Sequence, residues 1–146
     1  MKRLLLTLTV IFSLFTLSSF ADTITVTTPV LNSFNSSFKH ATEVNWTVTR
    51  GIYKANFLMN GQYVSAFYDV DGKMVAVTRN ITSFQLPLSL QTEIKNSYDQ
   101  YWISDLFEIA DEQGTSYYVT LESADSKLIL KSEGSNWTTY QKQRKS

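Results

Sequence analysis

Asn60-Gly61 constrains this chain more than any other pair, because it stands between two stretches of alternating apolar and polar residues. Asn and Gly accept the left-handed backbone of a type I′ turn, the two-residue bend whose twist matches paired antiparallel strands. Before it, Tyr53, Ala55, Phe57 and Met59 alternate with Lys54, Asn56 and Asn60. That period of two is expected of a half-buried strand. Further on, Asp69-Val70-Asp71-Gly72 closes a second hairpin, with Gly72 at the left-handed position after a type I turn. The stretch from Val44 to Arg79 therefore reads as a three-stranded antiparallel meander. A meander is a scaffold and specifies no activity.

The turns fix a register, and the register fixes the facing. Across Asn60-Gly61, Met59 should pair with Gln62, Phe57 with Val64, Ala55 with Ala66 and Tyr53 with Tyr68. Across the second turn, Asp69 should pair with Lys73, Tyr68 with Met74 and Ala66 with Ala76. The face with Tyr53, Ala55, Phe57, Val64, Ala66 and Ala76 is the expected core face. The other carries Leu58, Tyr63, Phe67, Val75 and Val77, more apolar than a solvated face should be. These five residues form the candidate partner-contact face. Covering by the C-terminal strands, or ordinary scatter of apolar groups on a surface, would explain them equally.

Two helices are expected beside the strands. After Pro29, Leu31, Phe34, Phe38 and Ala41 recur on one helical face. Leu86-Pro87 starts the second, since proline is tolerated in a first turn, and Leu90, Ile94, Tyr98 and Tyr101 form its stripe. Strands then follow over Ile103–Ala110, Ser116–Glu122, Lys127–Lys131 and Trp137–Gln141, with Gly114 and Gly134 in turns. The expectation is an α+β fold in helix-strands-helix-strands order, with both helices on one face of an antiparallel sheet. The similar halves read as a weak internal duplication, or as two unrelated halves of similar composition.

The N-terminus predicts export. Met1-Lys2-Arg3 is a basic start, Leu4 to Leu17 an apolar run, and Ser19-Phe20-Ala21 a small-residue cleavage site. The run is too short and hydroxyl-rich for a stable membrane span of about 20 residues. The division is a signal peptide over 1–21, an N-terminal linker over 22–30, one domain over 31–141 and a basic solvated tail over 142–146. Removing Lys2 and Arg3 from 13 basic residues leaves 11 against 13 acidic ones, which recommends neither nucleic acid nor an anionic membrane as partner. The chain has no cysteine, so an exported domain of this size relies on its core alone.

Catalytic chemistry finds little material. The single histidine, His40, has no second nitrogen ligand nearby and reads as a helix-terminal residue. Asp69-Val70-Asp71-Gly72 lacks the downstream acidic ligand of a calcium loop, because Val75, Val77 and Arg79 follow. No Gly-x-Ser-x-Gly elbow and no phosphate-cradling glycine run occur. No catalytic, cofactor or metal residue is assigned.

Several ordered residues carry a resemblance. Val44-x-Trp46, Gly51-x-Tyr53-x-Ala55-x-Phe57, Asn60-Gly61, Ala66-x-Tyr68-Asp69 and Gly72 come first. Arg79-x-Ile81, Leu86-Pro87, Ile94 and Tyr98 continue the order, and Tyr117 to Leu121 and Lys127 to Leu130 suit the closing strands. From Leu31 to Lys131 the chain resembles the PepSY-like, β-lactamase-inhibitor-protein-like (BLIP-like) exported domains of Bacteroidetes-type bacteria. That resemblance implies a periplasmic or secreted location and contributes no catalytic residues. The expected function is a non-enzymatic protein-binding or inhibitor-like module with an envelope or secreted protein as partner. The alternative is a small-ligand carrier with a pocket between helices and sheet, lined by Trp46, Tyr53, Tyr98 and Trp102.

Overall fold

A computed structural model describes residues 24–145. The signal-peptide reading, the first two linker residues and Ser146 lie outside the described residues. Helix α1 (Thr28–Ser37) leads into strands β1 (Thr42–Thr49), β2 (Ile52–Met59), β3 (Gln62–Tyr68) and β4 (Met74–Asn80). A 3-10 turn (Ser83–Gln85) and helix α2 (Leu88–Ser97) follow. Strands β5 (Trp102–Asp111), β6 (Gly114–Glu122), β7 (Ser126–Glu133) and β8 (Asn136–Arg144) complete the chain.

All eight strands form one antiparallel sheet in chain order, β1 to β8. This corrects the α+β expectation and its picture of separate helix and strand groups. The fold is mostly β: two ten-residue helices lie against a single uninterrupted eight-stranded sheet. The physical reason is that β4 pairs directly with β5, from Ala76–Asp111 to Asn80–Phe107, so the second strand group extends the first. The Val44–Arg79 stretch also holds four strands, because Arg50 (φ 52°) and Gly51 (φ 78°) make a further two-residue turn before β2.

Regular structure reaches both ends of the described residues. Thr28 to Val30 are helical and Val30 is fully buried. At the other end β8 includes Lys142 and Arg144. Lys145 is anchored as well: its ammonium lies 2.8 Å from Glu122 and 5.0 Å above the Trp102 ring. The basic end is a strand and a docked lysine.

Asn60 (φ 52°) and Gly61 (φ 75°) form the expected turn, and β2–β3 pairing follows the expected register throughout. The second hairpin departs from it. Asp69 Oδ1 accepts bonds from the Asp71 and Lys73 amides, and Tyr68 pairs with Met74 as expected. Val75 then has no counterpart, so Phe67 faces Ala76 and Ala66 faces Val77. One extra residue is a β-bulge, and beyond it the two faces of β4 exchange.

Helix α1 packs Val30 and Phe34 onto Ala55, Phe57, Val64, Ala66 and Tyr68. Phe34 meets Phe57 and Trp46 edge-on at 5.1 and 5.2 Å, and such pairs add about 0.5–1.5 kcal/mol beyond buried area. Leu31, expected on this face, is 37% exposed, and the buried row runs through Val30, Phe34 and Phe38. Helix α2 packs Leu90 onto Leu106, Val119, Leu121, Leu128, Leu130 and Trp137, with Ile94, Tyr98 and Tyr101 alongside. By register these partners share one side of the sheet. Arg79 and Glu108 stand between the two clusters on that side, joined at 3.0 Å across β4 and β5.

Candidate partner-contact face

The side of the sheet away from the helices is the face singled out from the sequence. Its residues alternate with the core residues just described: Phe67 with Ala66, Phe107 with Leu106, Tyr118 with Val119, Ile129 with Leu130. Phe67, Ala76, Phe107, Ile109, Tyr118 and Ile129 form one buried cluster, with Ile52, Val75 and Tyr140 against it. No residue of α1 or α2 belongs to this cluster. Its burial comes from side chains of neighbouring strands closing over one another across a twisted sheet.

The cluster has an aromatic centre. Phe107 and Tyr118 pair across β5 and β6 and stack at 5.4 Å with planes 4° apart, and Tyr140 meets Tyr118 edge-on at 5.6 Å. Lys54 lies 5.6 Å above Phe67 and Lys131 lies 5.9 Å above Tyr118. Cations over ring faces gain from the ring quadrupole, about 0.5–1 kcal/mol at exposed sites and more when desolvated. Burial holds the Lys54 ammonium below its ordinary pKa and pushes the Tyr118 hydroxyl well above its own. The polar rim is braced by short bonds: Ser65 Oγ donates to Asn56 at 2.6 Å, and Asn80 Nδ2 to Asp105 at 2.9 Å.

The five residues expected to form one apolar surface do not form it. Tyr63 is 66% exposed and its hydroxyl donates to Glu43 Oε2, a bond that raises its pKa. Leu58 pairs with Tyr63 and is half-buried. Phe67 is completely buried and Val75 packs against the same cluster, so both are core residues. Val77 lies on the opposite side, packed with the α1 cluster, because the bulge at Val75 turned its face over. The face is therefore neither bare nor continuous through those five; its middle is filled by the buried cluster of Phe67, Phe107, Tyr118 and Ile129.

Sequence reasoning missed the contributions of Phe107, Ile109, Tyr118, Ile129 and Tyr140. Their alternation is visible, but no glycine marks the Ser123–Ser126 turn, and the Tyr140 bulge in β8 hides the last parity. The four aromatics of the ligand-pocket reading disperse. Trp46 and Tyr53 pack in the α1 cluster, Tyr98 in the α2 cluster, and Trp102 is 53% exposed under Lys145. An open groove of about 550 Å³ lies elsewhere, between α2 (Leu88, Thr92, Asn96) and the β7–β8 turn (Ser135, Asn136). His40 is exposed in the turn beyond α1. Among the described residues no three His, Cys, Asp or Glu side chains gather as metal ligands.

The architecture has solved counterparts. The chain is similar to a BLIP-like protein from Bacteroides fragilis, with a TM-score of 0.70 and 16% identity over 83% of this chain and 87% of that one. It is similar to a DUF2874 family protein from Bacteroides ovatus, with a TM-score of 0.72 and 17% identity over 83% and 89%. A candidate periplasmic protein from Bacteroides eggerthii gives 0.72 and 12% over 83% and 90%. No family model and no curated protein matches the sequence. At these identities the likeness is one of fold: the chain has a BLIP-like fold.

Proposed function

We propose that this chain is an exported, non-enzymatic protein-binding module of the cell envelope, of PepSY-like or inhibitor-like kind. The observation that supports it is the strand face opposite the helices, where an aromatic cluster carries two lysines and a polar rim with exposed Tyr63 and Asn80. Aromatic residues backed by a packed core and edged by polar groups are the composition of interface centres. The N-terminal pattern of residues 1–21 supports export, as does the name of the B. eggerthii neighbour. No described helix is long and apolar enough to cross a membrane. The partner is expected to be another exported protein, and no cofactor enters the reading.

Site-specific photo-cross-linking in the producing cell tests this. A cross-linker at Tyr63 or Lys131 should yield a discrete protein adduct that the same probe at Leu88, on the helix side, does not. The purified adduct partner should then bind the chain in solution and lose affinity on Lys131→Glu. Adducts that are absent, or the same from both sides of the sheet, would overturn the proposal.

A further inference from the structure

Among the described residues the sheet is open at both ends, and the two edges differ. At the β1 edge, the two-residue turn Arg50-Gly51 makes Thr49 and Ile52 an exchanging pair, in which each backbone bonds the other. Alternation carries the exchange to Thr47–Lys54 and Asn45–Asn56. The backbone N–H and C=O of Trp46 and Val48 therefore point off the sheet, and no described strand lies beyond β1. Strand edges are ordinarily guarded by lysine, proline or bulges. The far edge, β8, has Lys142, Arg144 and a bulge at Tyr140. The run Asn45–Thr49 has no charge, no proline and no bulge.

We propose that β1 pairs with β1 of a second copy of this chain, antiparallel, about a two-fold axis through Thr47. Three features of the strand fit that occupant. Trp46 of each copy meets Val48 of the other, so four outward backbone groups on each side are satisfied by regular ladder bonds. Val48, 38% exposed in the single chain, is covered by an apolar neighbour on the helix side, while Asn45 meets Thr49 on the other. Glu43 and Arg50 are the only charged residues between 42 and 51 and lie at opposite ends, so the two-fold sets each Glu43 beside the Arg50 of the other copy. The Glu43 carboxylate is held at its end by the Tyr63 hydroxyl, 3.1 Å away. This pairing is independent of the protein-binding reading above, because it uses the sheet's edge and not its face.

Sedimentation equilibrium of the exported chain tests the pairing. The weight-average mass is expected to rise towards twice the monomer with concentration. Val48→Lys should weaken association at least about tenfold, or roughly 1.4 kcal/mol. Glu43→Lys and Arg50→Glu should each weaken it, and the two together should restore it. That rescue separates a lost contact from a damaged fold and decides the matter if Val48→Lys fails to fold. Amide exchange of Trp46 and Val48 should slow as concentration rises. A chain that stays monomeric, or a dimer indifferent to the charge swap, overturns the proposal. So does protection of those amides in the dilute monomer, which would place the chain's own N-terminal segment on the edge.

Discussion

The two halves of the molecule solve one packing problem with different side chains. Each helix and the turn that follows it repeat at a spacing of sixty residues. The amides of 31 and 91, 38 and 98, and 41 and 101 each bond the carbonyl at the same offset in their own half. Both first strand pairs carry a bulge near the start, at 42–45 and 103–105. Under α1 the sheet offers Ala55 and Ala66, so the helix lies close and Phe34, Phe38, Trp46 and Phe57 fill the flanks. Under α2 the equivalent positions are Val119 and Leu130, and the layer is aliphatic. There Trp137 ties helix to sheet: its indole N–H donates to the Leu90 carbonyl and its amide to Glu93 Oε2, both at 3.0 Å. Small strand residues under one helix and large ones under the other are complementary ways to reach interior density.

Deleting core side chains should break this comparison most sharply. Phe57→Ala is expected to lose about 4 kcal/mol, and Leu121→Ala, at the matching position, about 3 kcal/mol. Urea unfolding monitored by tryptophan fluorescence measures both. Equal losses would show that the aromatic layer contributes nothing beyond the aliphatic one.

The turns after β3 and β7 give the next largest contrast. A Cβ at Gly72 would sit 2.6 Å from the Pro29 backbone, at φ 83°, whereas one at Gly134 meets nothing within 4 Å. Gly72→Ala should therefore cost about 2–3 kcal/mol and loosen α1 from the sheet. Gly134→Ala should cost only its left-handed backbone term, about 1 kcal/mol. Amide exchange in α1 separates the two. A smaller effect follows at Trp137→Phe, expected to lose about 1 kcal/mol with the indole bond to the Leu90 carbonyl.

The smallest effect at neutral pH, Tyr68→Phe, sharpens the comparison through alkali. The Tyr68 hydroxyl is buried on the helix side without a hydrogen-bond partner, and burial pushes its pKa up to about 12. The unfolded chain ionises near the ordinary value of about 10, so between those values it binds fewer protons than the folded one. Stability should be intact below pH 10 and fall as pH rises from there towards 12. Tyr68→Phe should change neutral stability by less than about 1 kcal/mol and flatten that decline. An unchanged alkaline melting profile would assign the decline to other groups.

Legibility followed the range of the interaction concerned. Asn60-Gly61 and Asp69 to Gly72 act within four residues, and both turns stand where their chemistry requires. The register they imply held through β2 and β3 and failed one step beyond Met74, where Val75 bulges. The row through Leu31 gave way to one through Val30 because the helix turned to bring Val30 onto the sheet. Val77 changed face because the bulge at Val75 shifts β4 by one residue. Each error is a shift of a single residue, and in a strand a single residue exchanges the two faces.

Alone, the sequence determined the hairpins, the two short helices, a core without disulfides and the alternation that makes one side of each strand apolar. All of these are set by backbone preference and the polarity of neighbours in the chain. Tertiary structure decided that β4 and β5 join the halves into one sheet, that Phe67 is buried in one cluster with Phe107 and Tyr118, and that β1 is an edge strand among the described residues. The joining of the halves depends on pairing between residues about thirty apart in the chain. Their register is chosen by how side chains from both halves fill a common volume, and no local pattern encodes that choice.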